Sequence, residues 1–162
     1  MKKLLLVVLC LANLVACTTP TQPPIHYSKI ELPIQSNDAL QLQAAEIKWQ
    51  KNRPIHYSYW LQRTCFCPRE YNSPIEIRVL NESVQKAMLP LDHDLLPLVR
   101  MDEALTIKDL FAVIHKALAK KAAKIDVKYD WRYGYPTSIA IDWDKMIADE
   151  ETYFTAKYLK AY

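Results

Sequence analysis

The chain holds one glycine, Gly134, in 162 residues. That scarcity leaves no Gly-x-Ser-x-Gly turn for a hydrolase nucleophile and no glycine-rich loop to cradle a phosphate. Cysteine is nearly as thin, with Cys10, Cys17, Cys65 and Cys67 only. Charge of one sign is also lacking, since 21 Lys and Arg face 18 Asp and Glu for a net +3. Such near-neutrality argues against a nucleic-acid partner. Beyond residue 16 no stretch is long and apolar enough to cross a bilayer. No two histidines share a helix at zinc-binding spacing, so nothing names a reaction, a metal or a cofactor, and a non-catalytic role is expected.

What the chain does have begins at residue 1. Met1-Lys2-Lys3 precedes an apolar run from Leu4 to Val15, and Leu14-Val15-Ala16-Cys17 closes it. A basic start, a short apolar core and a small residue at the cut predict a signal peptide over residues 1–16. Leu-Val-Ala-Cys resembles the lipobox of bacterial lipoproteins, whose cysteine is acylated and becomes the first mature residue. Cys17 is therefore the expected lipidation site, and several acyl chains hold a protein stably on a membrane. Losing Lys2 and Lys3 lowers the net charge of +3 by two. In a Gram-negative cell, Thr18 after the cysteine implies the outer membrane, facing the periplasm.

Residues 17–36 form the anchor and a linker rich in proline: Pro20, Pro23, Pro24 and Pro33. At about 3.1 Å per residue, an extended linker of this kind reaches roughly 60 Å from the lipid surface. Pro24-Ile25-His26-Tyr27-Ser28 in the linker recurs as Pro54-Ile55-His56-Tyr57-Ser58. Coincidence on a linker under weak constraint explains the recurrence more simply than a duplication does.

From residue 37 to 162 the patterning predicts one α+β domain. Asn37 or Asp38 caps a helix over 39–51, with Leu42, Ala45 and Trp49 at helical spacing, and Pro54 stops it. His56 to Phe66 alternates as a strand, with Tyr57, Tyr59, Leu61, Arg63 and Cys65 on one side and Trp60 and Phe66 on the other. Ile75 to Val79 and Val84 to Leu89 read as a hairpin turning at Asn81-Glu82-Ser83. Residues 90–105 read as a polar loop. Thr106 and Asp109 form a capping box for a helix whose stripe is Ile107, Leu110, Phe111, Ile114 and Leu118. Ile125 to Tyr129 and Ile139 to Trp143 alternate around a turn at Gly134, where a backbone angle unwelcome to other residues is expected. Thr152 to Leu159 reads as a closing strand. The order α-βββ-α-ββ(β) implies an antiparallel sheet of five to six strands with two helices packed on one face; a cystatin-like arrangement is the rival.

Three constellations bear on function. Once Cys10 leaves and Cys17 carries lipid, Cys65 and Cys67 bond each other, pair between molecules, bind a metal or stay reduced. Side chains two apart on a flat strand are about 6.6 Å apart, too far for a disulfide, so a mutual bond requires a kink at Phe66. A redox site would draw on Arg63 and Arg69 to stabilise a thiolate. Asp92-His93-Asp94 reads as a solvated loop rather than a metal site, and the acidic run Asp142 to Glu151 lacks the glycine and spacing of a calcium loop. Tyr129, Trp131, Arg132, Tyr133 and Tyr135 crowd one hairpin, which makes them candidate contacts for a protein or glycan. The same rings also suit a plain structural role at the rim of the core.

Trp49, Cys65-Phe-Cys67, the helix start at Thr106 to Phe111, Tyr129-Asp130-Trp-Arg-Tyr-Gly-Tyr-Pro136 with Ile141-Asp142, and Ala148-Asp149-Glu150 together resemble a family of small bacterial envelope lipoproteins with a secreted domain of unknown function. The resemblance covers most of residues 45–160. It implies a secreted domain joined to a lipid anchor and brings no activity or catalytic role. Asn81-Glu82-Ser83 departs from it, where the family's hairpin is richer in glycine. The expected function is a lipid-anchored envelope protein that binds an envelope protein or glycan without catalysis, the alternative being thiol-disulfide or metal handling at Cys65 and Cys67.

Overall fold

A computed structural model describes residues 36–91, 93–147 and 149–162. Cys17, the signal segment and the linker before Ser36 lie outside the described residues, as do Asp92 and Ala148. The elements run α1 (Asn37–Asn52), β1 (His56–Thr64), a 3-10 turn (Arg69–Asn72), β2 (Ile75–Leu80), β3 (Ser83–Met88), a second 3-10 turn (Leu98–Glu103), α2 (Ile107–Ala119), β4 (Lys124–Tyr129), β5 (Pro136–Asp142) and β6 (Thr152–Ala161). The strands form one antiparallel sheet in the order β3-β2-β1-β6-β5-β4, so the fold is α+β.

Register follows from which side chains each strand must bury. Tyr57, Tyr59 and Leu61 lie opposite Val79, Ile77 and Ile75, and Leu61 lies opposite Ala156 on β6. A slip by one residue would turn this entire set toward water. Leu42, Ala45 and Trp49 of α1 and Ile107, Leu110, Phe111, Ile114 and Ala117 of α2 join the same buried cluster, with Ile139, Ile141 and Phe154. Each large apolar side chain so buried contributes roughly 2 kcal/mol. Tyr57 and Tyr59 carry polar tips into this core and aim them at the start of α2. The Tyr57 hydroxyl accepts from the Ile107 amide at 3.4 Å, and the Tyr59 hydroxyl donates to the Leu105 carbonyl. Burial holds the Tyr57 hydroxyl up at about 12 and that of Tyr59 well above its ordinary value.

Several local expectations are met and several are corrected. The capping box of α2 is present, with the Thr106 hydroxyl accepting from the Asp109 amide at 3.2 Å and Asp109 Oδ2 accepting from the Thr106 amide at 2.8 Å. The cap of α1 is Ser36, whose Oγ accepts from the Ala39 amide at 3.2 Å, rather than Asn37 or Asp38, which lie inside the helix. The expected polar loop 90–105 contains a 3-10 turn and a buried ion pair, Arg100 Nε to Glu103 Oε1 at 2.9 Å. Trp143 falls just beyond β5. The closing strand, β6, runs to Ala161 and lies in the middle of the sheet between β1 and β5.

Scarce glycine has a visible consequence. Asn81, Glu82, His93, Lys121, Asp149 and Tyr158 all take positive φ, the region glycine usually fills. Lys121 is the residue after the α2 cap, where its amide and that of Ala122 donate back to the carbonyls of Leu118 and Ala117. That pairing is the Schellman arrangement, which favours glycine at this position.

Candidate functional site

The aromatic hairpin between β4 and β5 is built as a docked turn. Asp130 Oδ1 accepts from the amides of Arg132 and Tyr133 at 2.9 and 2.6 Å, and the Gly134 amide donates to the Asp130 carbonyl at 3.0 Å. Gly134 sits at φ +85, and a Cβ placed there would come 2.6 Å from the Ala45 carbonyl oxygen on α1. Conformation and contact therefore both require glycine. From α1, Lys48 Nζ donates to the Trp131 carbonyl at 2.8 Å and Asn52 Nδ2 donates to the Arg132 carbonyl at 3.3 Å.

This docking decides where the five candidate side chains go. Tyr135 is buried edge-on against Trp49, with centroids 6.2 Å apart, so its ring belongs to the core and not to a contact surface. Tyr129 is half-buried and stacks on Phe111 at 6.5 Å, and burial holds its hydroxyl up at about 12. Tyr133 is partly buried beneath the Arg132 guanidinium, 5.0 Å from its ring centroid. Trp131, 82% exposed, and Arg132 remain at the surface.

Cys65 and Cys67 are bonded to each other. β1 ends at Thr64, and the chain bends at Phe66 and Cys67, which brings the two Cα atoms to 5.3 Å. Asn72 clamps the bend: its Oδ1 accepts from the Cys65 amide at 3.0 Å, and its Nδ2 reaches the Cys65 carbonyl at 3.3 Å and Cys67 Sγ at 3.4 Å. Phe66 projects outward, 94% exposed. Among the described residues, no group of three or more His, Cys, Asp or Glu side chains is placed to hold a metal ion. His115 instead meets Glu46 of α1 at 2.7 Å.

A surface that the hairpin reading overlooked lies on the other side of the sheet. Ser58, Trp60 and Gln62 point away from the core, opposite Lys160, Lys157 and Thr155 of β6. Between Ser58 and Trp60 the register shifts, so that Tyr59 of β1 faces both Tyr158 and Leu159. This is a β-bulge, and its first residue, Tyr158, stands at φ +59, a place ordinarily held by glycine. The bulge turns the Tyr158 ring outward, 62% exposed, edge-on to Trp60 with centroids 5.2 Å apart. Two shallow depressions share this pair: one of about 430 Å³ is lined also by Ser58, Glu76 and Lys160, and one of about 180 Å³ by Gln62, Pro74, Thr155 and Lys157. The alternation placed Trp60 on the side of β1 opposite Tyr57, Tyr59 and Leu61, without saying which side faced the core. Its partner was not legible, because nothing near Tyr158 in the sequence announces the bulge.

The described residues, a six-stranded sheet with two helices, a docked aromatic turn and a short disulfide loop, define a small α+β domain. A family model described as a family of unknown function (DUF6174) matches residues 41–161, and the chain belongs to that family. No curated protein and no solved structure gives a match.

Proposed function

We propose that this chain is a lipid-anchored protein of the bacterial cell envelope, tethered through Cys17, whose domain binds an envelope component without catalysis. The observation that carries the reading is the outward sheet face around Trp60 and Tyr158. Both helices bury their apolar stripes in the cluster formed with the opposite face, so they lie over that side and leave this one open. Strained backbone is retained where the surroundings demand it, and αL costs a non-glycine residue about 1–2 kcal/mol. At Tyr158 that cost places an aromatic ring on an exposed surface instead of in the core, which suits a contact residue. Trp131 and Arg132, on the docked turn, form a second exposed contact point.

The anchor and the surface are tested separately. Replacing Cys17 with Ser in the full chain is expected to abolish labelling by a palmitate analogue and release the protein from membranes. Continued labelling would sink the anchor. A photo-crosslinking residue in place of Gln62 is expected to trap a partner in intact cells, whereas the same residue in place of Lys86, toward the sheet edge, traps less.

One observation favours a second reading. The Cys65–Cys67 bond closes a loop of a single intervening residue, and such a short closure restrains the unfolded chain little. Thiol-disulfide exchange with an envelope thiol is the function this permits. Mass measurement after labelling distinguishes the two: labels gained only under strong reduction make the bond structural, and labels gained under mild reduction favour exchange.

A further inference from the structure

The geometry points to an acidic polysaccharide strand as the ligand of the outward face, with a sugar ring stacked at Trp60 and Tyr158 and its carboxylates met by Lys157 and Lys160. The inference rests on the proposal that this face is the binding surface, and it names the ligand class. Four features of the face select that class.

First, every strand meeting here is paired on both sides, β1 between β2 and β6, and β6 between β1 and β5. The backbone donors and acceptors are consumed, so a peptide cannot add as a further strand and recognition falls to side chains. Second, the two depressions are shallow and lined by Ser58, Gln62, Glu76 and Thr155 as well as the rings. A small apolar ligand wants an enclosed pocket that covers most of its surface, which this face does not offer. A sugar needs less: its C–H face lies on the electron-rich face of an aromatic ring, while its hydroxyls reach polar neighbours.

Third, the charge is positive where the rings are. Arg78 is paired with Glu76 at 3.4 Å, whereas Lys157 and Lys160 have no carboxylate within ion-pair distance among the described residues. They flank Tyr158 in sequence, and each lines one of the two depressions. Fourth, two lysines with no ion-pair partner among the described residues suit a ligand of sparse negative charge. A nucleic acid carries a phosphate at every residue and is held by a larger basic footprint.

The probe is oligogalacturonate, with its uncharged methyl ester as control, titrated into the full-length chain in detergent and followed by calorimetry and backbone amide shifts. Oligogalacturonate is expected to bind and shift the amides of β1 and β6, with the ester about tenfold weaker. Trp60→Ala is expected to lose about tenfold or more, in keeping with loss of one stacking platform, and Trp60→Phe to retain most of the affinity. Changing Lys157 and Lys160 to Gln should flatten the salt dependence. Unchanged binding by a folded Trp60→Ala variant, shifts confined to another surface, or equal binding of acid and ester overturns the inference. So does finding residues 18–35 of the chain itself on this face. If oligogalacturonate fails while the crosslinker at position 62 traps a protein, the ligand class is wrong and the surface stands. If both fail, both fall.

Discussion

Gly134 and Tyr158 share a backbone sign and little else. At Gly134 the chain turns against α1 so closely that hydrogen is the only side chain that fits, and the reward is a hairpin fixed to the helix. At Tyr158 the chain makes a comparable excursion at the centre of a sheet, where glycine would be easier, and keeps one of its largest side chains. The first position is ruled by packing, since its φ and its neighbours agree. The second is at odds with its own backbone and agrees only with the half-buried ring of Trp60. Local consistency marks structure, and local conflict marks the place to seek function.

The largest expected effect falls on the packed side. Burial raises the hydroxyls of Tyr57 and Tyr129 to about 12, and those of Tyr59 and Tyr135 are raised too. Each folded value exceeds the unfolded one near 10, so their contribution is complete below about pH 10 and is lost as pH rises through about 12. Alkaline titration is expected to unfold the domain cooperatively in that window, with phenolate absorbance and circular dichroism changing together. Phenolate appearing well before the fold is lost would mean that these rings are not sealed in.

Next comes Gly134→Ala, which adds both αL strain and a clash with the Ala45 carbonyl. A loss of about 3 kcal/mol in urea is expected. A loss below 1 kcal/mol would show that α1 yields and that the turn is not truly docked. The smallest effects sharpen the contrast. Tyr158→Gly and Tyr158→Ala both remove the ring, but only glycine relieves the backbone, so the glycine variant should be more stable by about 1 kcal/mol. Lys121→Gly, at the end of α2, should stabilise by a similar amount. Equal stability of the two Tyr158 variants would remove the argument from strain.

The elements that could be read from the sequence are those whose cause is local. The α2 capping box needs only Thr106 and Asp109, and the β1 alternation needs only the spacing of Tyr57, Tyr59 and Leu61. Ser36, Asn37 and Asp38 are three good capping residues in a row, and propensity does not rank them. The strand order was hidden because β6 pairs with β1 across about ninety intervening residues, and no local pattern encodes that choice. The candidate site divides in the same way. The Tyr-Asp-x-x-Tyr-Gly-Tyr-Pro stretch stood out as a motif, yet Asp130 and Gly134 spend it on fixing the turn to α1. Trp60 joined a candidate surface only when a distant bulge supplied its neighbour.

β6 is the seam of the molecule. β1, β2 and β3 can assemble by short hairpins, and so can β4 and β5, but within the sheet the two groups are joined only through the last strand. Joining them requires closing a long loop, a slow step whose entropy no local contact offsets. Trp60 stands beside that seam and Tyr158 on it, so their surface does not exist until β6 has paired with β1. Any ligand resting on both rings therefore acts as a clasp: it reports completed folding and, by mass action, holds the seam shut.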